Sequence, residues 1–393
     1  MDKSSKKKSK KSRKNKEVSN TSLLKFPPLE KESSNGKGAS NQNIAQINDQ
    51  IIQLKKVEDE EINKDNKDNQ NKVKLDFTNC IFFSKYKVTK KISDGNFSKI
   101  YQLEEISTND KYACKIEAKK AKQPMLEYEY KILDYLRGEH IPIIKLYGSS
   151  GDYNILIMNL LGKSLDYYIK KLEKFSIHTT AMLAYQIINI LQYIHLRGII
   201  HRDIKPGNFV MGLDTKSLDV YIIDFGFAKK YKSMTTDKIY PMTEGHELTG
   251  TSRYGSINAM KGMQQSCRDD LESLGYMLYF FLKGNLPWMG IKEKNKENLD
   301  KKILEKKIET TSELLGQDLP IQFCEFLDYA KNLKYEETPD YNLFKGKMMQ
   351  VINAGGQKFD KIYDWTDIKK LKGEDKKPEE KIVEKVETSC CRM

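Results

Sequence analysis

The sequence has few residues of the kinds that build metal centres or disulfide frameworks. Its 393 residues include 5 histidines and 6 cysteines, and the cysteines (80, 114, 267, 324, 390 and 391) have neither metal-ligand nor framework spacing. This usage fits a reducing compartment. No apolar run approaches the roughly 20 residues that cross a bilayer, and the N-terminus resembles neither a secretory signal nor, with Asp2, a myristoylation site. We therefore expect a soluble protein of the cytoplasm or the nucleus.

Positive charge is concentrated at the start of the chain. The formal net charge is +13, and nine of the first sixteen residues are Lys or Arg. Such a run cannot bury apolar surface, so we expect residues 1–85 to form a disordered basic and polar tail. A solvated extension, a nuclear import signal and a patch for anionic lipid or nucleic acid all fit this composition. Nucleic acid is not expected to be the main partner.

From Tyr86 onward, the sequence shows short segments in which apolar and polar residues alternate. Residues 86–92, 99–103 and 111–116 are typical of antiparallel strands joined by tight turns, and 154–158 predicts a later strand of the same sheet. After Gly162 the apolar spacing becomes helical.

One long helix is indicated by Leu183, Ile187, Leu191 and Ile194, which would share one face. Further helices are predicted around residues 268–283, 297–309, 320–331 and 341–353. The pattern predicts an α+β fold, with a small antiparallel β-rich lobe followed by a larger helical lobe. We expect this folded part to span residues 86–366 and to be followed by a charged tail, 367–393.

Two short polar motifs carry the strongest chemical signal. The first is His201-Arg-Asp-Ile-Lys-Pro-Gly-Asn208, and the second is Ile222-Ile-Asp-Phe-Gly226. Asp203 has the spacing of a residue that accepts a proton from a substrate hydroxyl, whereas Asn208 and Asp224 have the spacing of magnesium ligands. The two motifs, in this order and at this separation, resemble the catalytic and metal loops of protein kinases.

Other residues of the first motif have simpler predicted roles. Lys205, two residues after Asp203, can neutralise charge that develops on a transferred phosphoryl group. We expect the His201 ring to pack beneath the loop rather than to act as an acid or base.

Lys115 ends the strand-like segment Tyr112-Ala-Cys-Lys115. Kinases place at this position the lysine that contacts the α- and β-phosphates of ATP. A lysine here would ordinarily be a solvated surface residue, but its distance from the downstream motifs favours the functional interpretation. It needs a carboxylate from the following helix, for which Glu127 and Glu129 are both candidates.

The segment expected to cover the phosphates, Ser93-Asp-Gly-Asn-Phe-Ser98, departs from the pattern Gly-x-Gly-x-x-Gly. Only the middle glycine, Gly95, is present. Glycines there let backbone amides approach phosphate without a Cβ in the way. We therefore expect a stiffer cover and weaker nucleotide affinity.

A closer family resemblance lies further along the chain. Most kinases end the activation segment with Ala-Pro-Glu, but this chain has Leu248-Thr-Gly-Thr-Ser-Arg-Tyr-Gly-Ser-Ile-Asn258. The Ser-Ile-Asn sequence, together with Arg268–Gly275 and Leu286–Lys292, resembles the casein kinase I family. The resemblance covers about seven-tenths of the chain, from Tyr86 to Trp365. It implies a serine/threonine kinase that uses ATP and Mg²⁺, acts without activation-loop phosphorylation and prefers acidic or phosphorylated substrates.

The resemblance also assigns residues by position. It favours Glu129 as the partner of Lys115, places Met158 at the back of the nucleotide pocket and puts the hinge directly after it. The nucleotide-binding residues that it implies are Ile92, Ser93, Asp94, Gly95, Asn96, Phe97, Ser98, Ile100, Ala113, Lys115, Glu129, Met158, Leu160 and Leu161.

Substrate anions would be bound by Arg253, Lys229 and Lys230 through charge pairing. Two positions where the family usually carries lysine are His246 and Leu299. The resemblance therefore predicts a weaker preference for phosphate-primed substrates than is usual in the family.

The chain ends in Cys390-Cys-Arg-Met393. Adjacent terminal cysteines are S-acylated in membrane-anchored members of this family, and the four residues also fit a loose prenylation pattern. An unmodified tail is the third interpretation. A single lipid anchors weakly, so peripheral membrane association through Cys390 or Cys391 would need help from the basic N-terminus.

The sequence leaves two functions open. An active kinase is favoured because Lys115, Glu129, Asp203, Lys205, Asn208 and Asp224 are all present. A pseudokinase or scaffold that keeps the fold and binds partners is the alternative, motivated by Ser93 and Ser98. For the active enzyme we expect a monomer whose partners are acidic protein substrates with Ser or Thr.

Overall fold

The computed structural model describes residues 76–95, 98–233 and 235–366. A six-stranded antiparallel sheet forms the first lobe, in the spatial order β1-β2-β3-β4-β6-β5. The strands are β1 (Ile81–Phe82), β2 (Tyr86–Asp94), β3 (Lys99–Glu105), β4 (Lys111–Ala118), β5 (Ile144–Ser150) and β6 (Tyr153–Asn159). Helix α1 (Leu126–Leu136) connects β4 to β5. The four strands predicted from alternation are confirmed, whereas β1 and β5 were not assigned. A helix after Lys115 was expected, but its bounds were not.

The second lobe is mainly helical. Its helices are α2 (Leu165–Leu172), α3 (Ile177–Leu196), α4 (Ile257–Met260), α5 (Cys267–Lys283), α6 (Lys296–Glu309), α7 (Ser312–Leu315), α8 (Ile321–Asn332) and α9 (Tyr341–Asn353). Two small sheets pair β7 (Ile199–Ile200) with β10 (Lys229–Lys230) and β8 (Phe209–Met211) with β9 (Val220–Ile222). The predicted α+β architecture of two lobes is confirmed.

Helix α3 forms the centre of this lobe. Ser176 caps its N-terminus by accepting a hydrogen bond from the Thr179 N–H. Leu183, Ile187, Leu191 and Ile194 are all fully buried, as their spacing predicted. The helix packs against both α9 and α5, and β7 connects its end to the loop that contains residues 201–208.

The ordered fold begins earlier than the boundary expected at residue 86. Phe77 and Phe82 are buried, and Phe77 makes edge-on ring contacts with Tyr101 and Tyr153. Strand β1 pairs with β2. Residues 76–85 therefore belong to the folded lobe rather than to the polar tail, because their aromatic side chains cover one face of the sheet. A two-residue strand is too short for sequence periodicity to reveal.

The last described residues close the helical lobe. Tyr363 and Trp365 are buried and stacked, with ring centroids 4.8 Å apart. The Asp364 carboxylate accepts hydrogen bonds from the N–H and hydroxyl of Ser176, which ties this end to the start of α3. Residues 367–393, with the predicted tail and its cysteines, lie outside the described part. Within that part, no helix is both long and apolar enough to cross a membrane.

The revised boundary predicts that Phe77 contributes to stability. Phe77→Ala should lower the free energy of unfolding by about 3 kcal/mol, since it removes a buried ring and leaves a cavity. Denaturant unfolding followed by circular dichroism measures this change. Ile106→Ala, at a side chain that is 52% exposed, is the matched control and should change little. Equal midpoints for wild type and Phe77→Ala would contradict the placement.

Candidate active site

Lys115 lies at the centre of a charged network between the two lobes. On β4 it sits between Ile100 of β3 and Leu156 of β6. Its Nζ lies 2.6 Å from Glu129 Oε1 and 2.9 Å from Asp224 Oδ1. Burial alone would lower the pKa of Lys115, but the two carboxylates outweigh burial and hold the pKa above its ordinary value. The ammonium group is therefore charged and fixed in position.

The partner of Lys115 is settled by contact. Glu129, on the inner face of α1, is 4% exposed and bonds to Lys115. Glu127, two residues earlier, points away and pairs with Lys131 in a side-chain contact that is largely exposed. Of the two candidates, Glu129 is the one that the fold brings to Lys115.

Glu117 positions α1 and was not singled out from the sequence. Helix α1 has no side-chain cap at Met125. Instead, the buried Glu117 carboxylate accepts hydrogen bonds from the N–H groups of Met125, at 2.7 Å, and Leu126. A carboxylate at a helix N-terminus also interacts favourably with the helix dipole. Glu117 lies two residues after Lys115 on the same strand and so on the same face of the sheet, and this spacing was the available signal.

The catalytic-loop residues converge around Asp203. This side chain is 3% exposed, and its Oδ2 accepts from Lys205 Nζ at 2.5 Å and from Asn208 Nδ2 at 3.1 Å. The Asn208 amide also donates to the Asp203 carbonyl at 2.8 Å, which closes the loop. On the other side, Thr251 donates from Oγ1 to Asp203 Oδ1 at 2.9 Å.

The loop is held from below by Asp270 of α5. Its carboxylate accepts from the N–H groups of His201, at 2.7 Å, and Arg202, at 2.9 Å, and lies 2.9 Å from His195 Nε2. Burial would raise the pKa of Asp270, but the hydrogen bond and charge of His195 lower it overall. The His201 ring is buried and packs against Phe225, with ring centroids 5.1 Å apart. The sequence had predicted this packing beneath the loop. Sequence reasoning missed Asp270, whose role depends on contacts 69 residues away in the chain.

Asp224 has the geometry and charge of a cation ligand. Its backbone is left-handed, with φ of 68°, a conformation that is uncommon outside glycine and concentrates at functional sites. Burial would raise its pKa, but Lys115 lowers it overall, so the side chain is a carboxylate at neutral pH.

Asn208 and Asp224 suit a hard cation such as Mg²⁺, which prefers oxygen ligands. The Asn208 nitrogen already donates to Asp203, which leaves its amide oxygen as the coordinating atom. Within residues 76–95, 98–233 and 235–366 there is no cluster of three or more His, Cys, Asp or Glu that could hold a metal. A cation at Asp224 would therefore take further ligands from water or from a bound phosphate.

A cavity of about 270 Å³ opens between the two lobes at this network. It is lined by Asp94, Gly95, Ser98, Ile100, Lys115, Glu117, Met125, Leu126, Glu129, Lys205, Asp224, Gly226 and Phe227. Among these lining residues, six were predicted to bind the nucleotide: Asp94, Gly95, Ser98, Ile100, Lys115 and Glu129. The Gly95 N–H donates to the Ser98 carbonyl at 2.8 Å, and a Cβ on Gly95 would meet that oxygen at 2.9 Å. The retained glycine is therefore required by a tight turn.

The other predicted nucleotide-binding residues that the structure describes are not part of the cavity lining. Ala113 and Met158 pair across β4 and β6, two positions along from Lys115 and Leu156. Leu160 and Leu161 are half-buried in the connection from β6 to α2, whereas Ile92 is 47% exposed. Ser93 pairs with Ile100 in the sheet. Asn96 and Phe97 lie outside the described residues.

The predicted anion-binding residues fall into two places. Lys229, in β10, is half-buried and close enough to Arg202 that burial and the Arg202 charge both lower its pKa. Burial, with the charges of Lys229 and Arg202, also lowers the pKa of His246. Lys230 follows in the same strand. Arg253 instead lies over the Tyr254 ring, 5.9 Å from its centroid.

Arg202 was not predicted to bind anions, yet its charge acts on both Lys229 and His246. Leu299, the other position where the family usually carries lysine, packs against the main hydrophobic core. Cys390 and Cys391 lie outside the described residues.

One comparison with known families bears on this site. Residues 86–335 match the family model described as Protein kinase domain. The match contains both motifs, Lys115 and Glu129, and it covers more than half of the chain.

The network predicts unequal effects for two neighbouring glutamates. Glu129→Gln should lower kcat/KM for ATP about tenfold or more, since it removes a charged hydrogen-bond partner from the Lys115 ammonium. Glu127→Gln, on the exposed face of the same helix, is the matched control and should stay within about twofold of wild type. Steady-state phosphoryl transfer at varied ATP concentration measures both. Equal losses in the two variants would contradict the assignment.

Proposed function

Because the chain belongs to the protein kinase family, we propose that it is an active serine/threonine kinase of the casein kinase I type. The observation that carries this proposal is that two sets of charged and polar side chains meet at one cleft. Lys115 bonds to Glu129 and Asp224, while Asp203 contacts Lys205 and Asn208. No member of this set is replaced or turned away.

Each side chain has a role that its contacts support. Asp203 is buried beneath the cleft with its carboxylate bound by Lys205, Asn208 and Thr251. It would orient the substrate hydroxyl and accept its proton. The Lys205 ammonium would neutralise negative charge that develops on the transferred group. Burial of Asp203 and its fixed hydrogen bonds keep both groups in place before substrate binds.

Binding of ATP and Mg²⁺ would use residues of the same cleft. Lys115 would hold the α- and β-phosphates, and the oxygens of Asn208 and Asp224 would hold Mg²⁺. When bound, ATP would supply the γ-phosphoryl group, and Mg²⁺ would neutralise charge on the phosphates. The lowered pKa of Asp224 and the raised pKa of Lys115 keep both side chains ionised for these roles at neutral pH.

Activity without activation-loop phosphorylation is supported by two contacts at the cleft. The Lys115–Glu129 ion pair is present, and Thr251 of the activation segment already contacts Asp203. Protein kinases need the former pair for catalysis. The casein kinase I assignment is supported by the segment Ser256-Ile-Asn258, where the Ser256 hydroxyl caps α4 by accepting from the Ala259 N–H.

A pseudokinase is the second candidate function. Ser93 and Ser98 replace glycines that would approach phosphate through their backbone. Gly95, however, keeps the tight turn to Ser98. The complete set of charged residues therefore favours the enzyme.

The enzyme and the scaffold differ in one assay. Wild-type protein with Mg²⁺ and labelled ATP should phosphorylate casein on Ser and Thr, and Asp203→Asn should lower kcat about 100-fold or more because the proton acceptor is lost. Asp214→Asn, at an exposed aspartate, is the control and should leave kcat unchanged. Equal and negligible rates for wild type and Asp203→Asn would favour the scaffold.

The cluster of Arg202, Lys229 and His246 predicts a weak preference for phosphate-primed peptides. Because the pKa of His246 is lowered, this residue adds no positive charge at neutral pH. His246→Lys should raise the kcat/KM advantage of a primed over an unprimed peptide about tenfold, by adding a charged donor for phosphate. Leu213→Lys, at an exposed site, controls for net charge. A large primed advantage in wild type would contradict this prediction.

A further inference from the structure

Residues 252–257 of the activation segment are held through their backbone by three buried side chains. Lys307 donates from Nζ to the carbonyls of Ser252, at 2.9 Å, and Gly255. Trp288 donates from Nε1 to the Arg253 carbonyl at 2.7 Å. At the other end, the Ile257 N–H donates to Glu272 Oε1 at 2.8 Å.

Lys307 is the unusual member of this group. It projects from α6 and is 0% exposed, whereas its neighbour Lys306 is largely in solvent and pairs with Glu309. Its ammonium lies 4.6 Å from the centroid of the Tyr276 ring and 5.1 Å from that of Trp288. The two rings are perpendicular neighbours, so they form an aromatic cage around the cation.

Burial of this ammonium opposes stability. It lowers the pKa of Lys307 to about 7, although the charges of Glu272 and Asp300 act in the opposite direction. Lysines are almost never fully buried unless paired, and replacement of buried ionic groups by apolar residues is often neutral or stabilising. The position of Lys307 therefore points to a structural requirement other than global stability.

The segment that Lys307 holds adjoins the catalytic aspartate. Thr251, immediately before Ser252, donates to Asp203 Oδ1. Gly250, with φ of +96°, passes so close to the catalytic loop that a Cβ would meet the Arg202 carbonyl at 2.4 Å. A shift of residues 252–255 would thus displace Thr251 from Asp203 as well.

We propose that Lys307 is a positioning residue that fixes residues 252–257 as the peptide-binding platform of the kinase. All four contacts use backbone atoms of the segment, and the Arg253 side chain remains exposed. The Lys307 side chain orders this segment from its buried side, through hydrogen bonds to backbone carbonyls. The inference rests on the proposed kinase activity.

The test compares Lys307→Met with wild type in the full chain. The KM for a Ser-containing acidic peptide should rise about tenfold or more, because two backbone carbonyls lose their hydrogen-bond donor and the segment loses its fixed position. The KM for ATP should stay within about twofold, since Lys307 belongs to the helical lobe and touches no residue of the ATP cleft. The thermal midpoint should fall by several degrees, because the carbonyls of Ser252 and Gly255 lose their donor. Lys306→Met is the matched control and should leave every parameter unchanged.

Two further variants separate positioning from simple loss of structure. Lys307→Arg keeps the charge and the donors and should restore part of the peptide affinity. Trp288→Phe keeps an aromatic ring but removes the donor to Arg253, and it should raise the peptide KM while leaving the KM for ATP unchanged. If Lys307→Met does not fold, Trp288→Phe and Lys307→Arg still decide the question.

Amide hydrogen exchange gives a readout that does not need activity. Peptides covering residues 250–258 should exchange faster in Lys307→Met than in wild type and Lys306→Met. An unchanged peptide KM together with unchanged exchange would overturn the proposal, as would an equal rise in both KM values with a large fall in thermal midpoint. If wild type phosphorylates no substrate, the kinase proposal fails, and the exchange measurement still tests whether Lys307 orders the segment.

Discussion

The contact of the Lys115 ammonium with two carboxylates is the interaction on which the site depends. Glu129 comes from the helix of the sheet-containing lobe, and Asp224 comes from the loop after β9 in the helical lobe. One buried charge therefore joins the two lobes across the cleft. Because an unpaired charge at this depth would be strongly unfavourable, the lobes are held in the arrangement that supplies both partners. Removing either carboxylate would affect lobe geometry as well as phosphate binding.

A second device recurs through the protein: a buried carboxylate accepts hydrogen bonds from backbone N–H groups and so fixes a loop or helix end. Glu117 does this for α1, Asp270 for the catalytic loop and Glu272 for the start of α4. Such charge-assisted bonds are stronger than neutral ones. Lys307 does the reverse, since its side chain donates hydrogen bonds to backbone carbonyls. The result is a site whose loops are ordered by side chains from the rigid core beneath them.

Sequence reasoning succeeded where a pattern is local. The alternations from residue 86 onward and the helical spacing of α3 were both confirmed, because strand and helix periods depend on which face is buried. It was wrong about residues 76–85, where Phe77, Phe82 and Phe83 pack on the sheet without a periodic pattern. Between Glu127 and Glu129, chemistry alone left the choice open. The orientation of α1, set by Glu117, decided it.

By itself, the sequence determined four strands of the main sheet, the five longer helices of the second lobe, the two polar motifs and the membership of a kinase family. These features follow from residue type and short spacing, which the chain carries locally. The family resemblance favoured Glu129, and the tertiary structure showed its contact with Lys115. The tertiary structure alone decided that Asp270 supports the catalytic loop and that Lys307 is buried under the activation segment. Each of those contacts joins residues 14 to 69 positions apart. Burial and partner depend on how whole elements pack, and no local spacing encodes that packing.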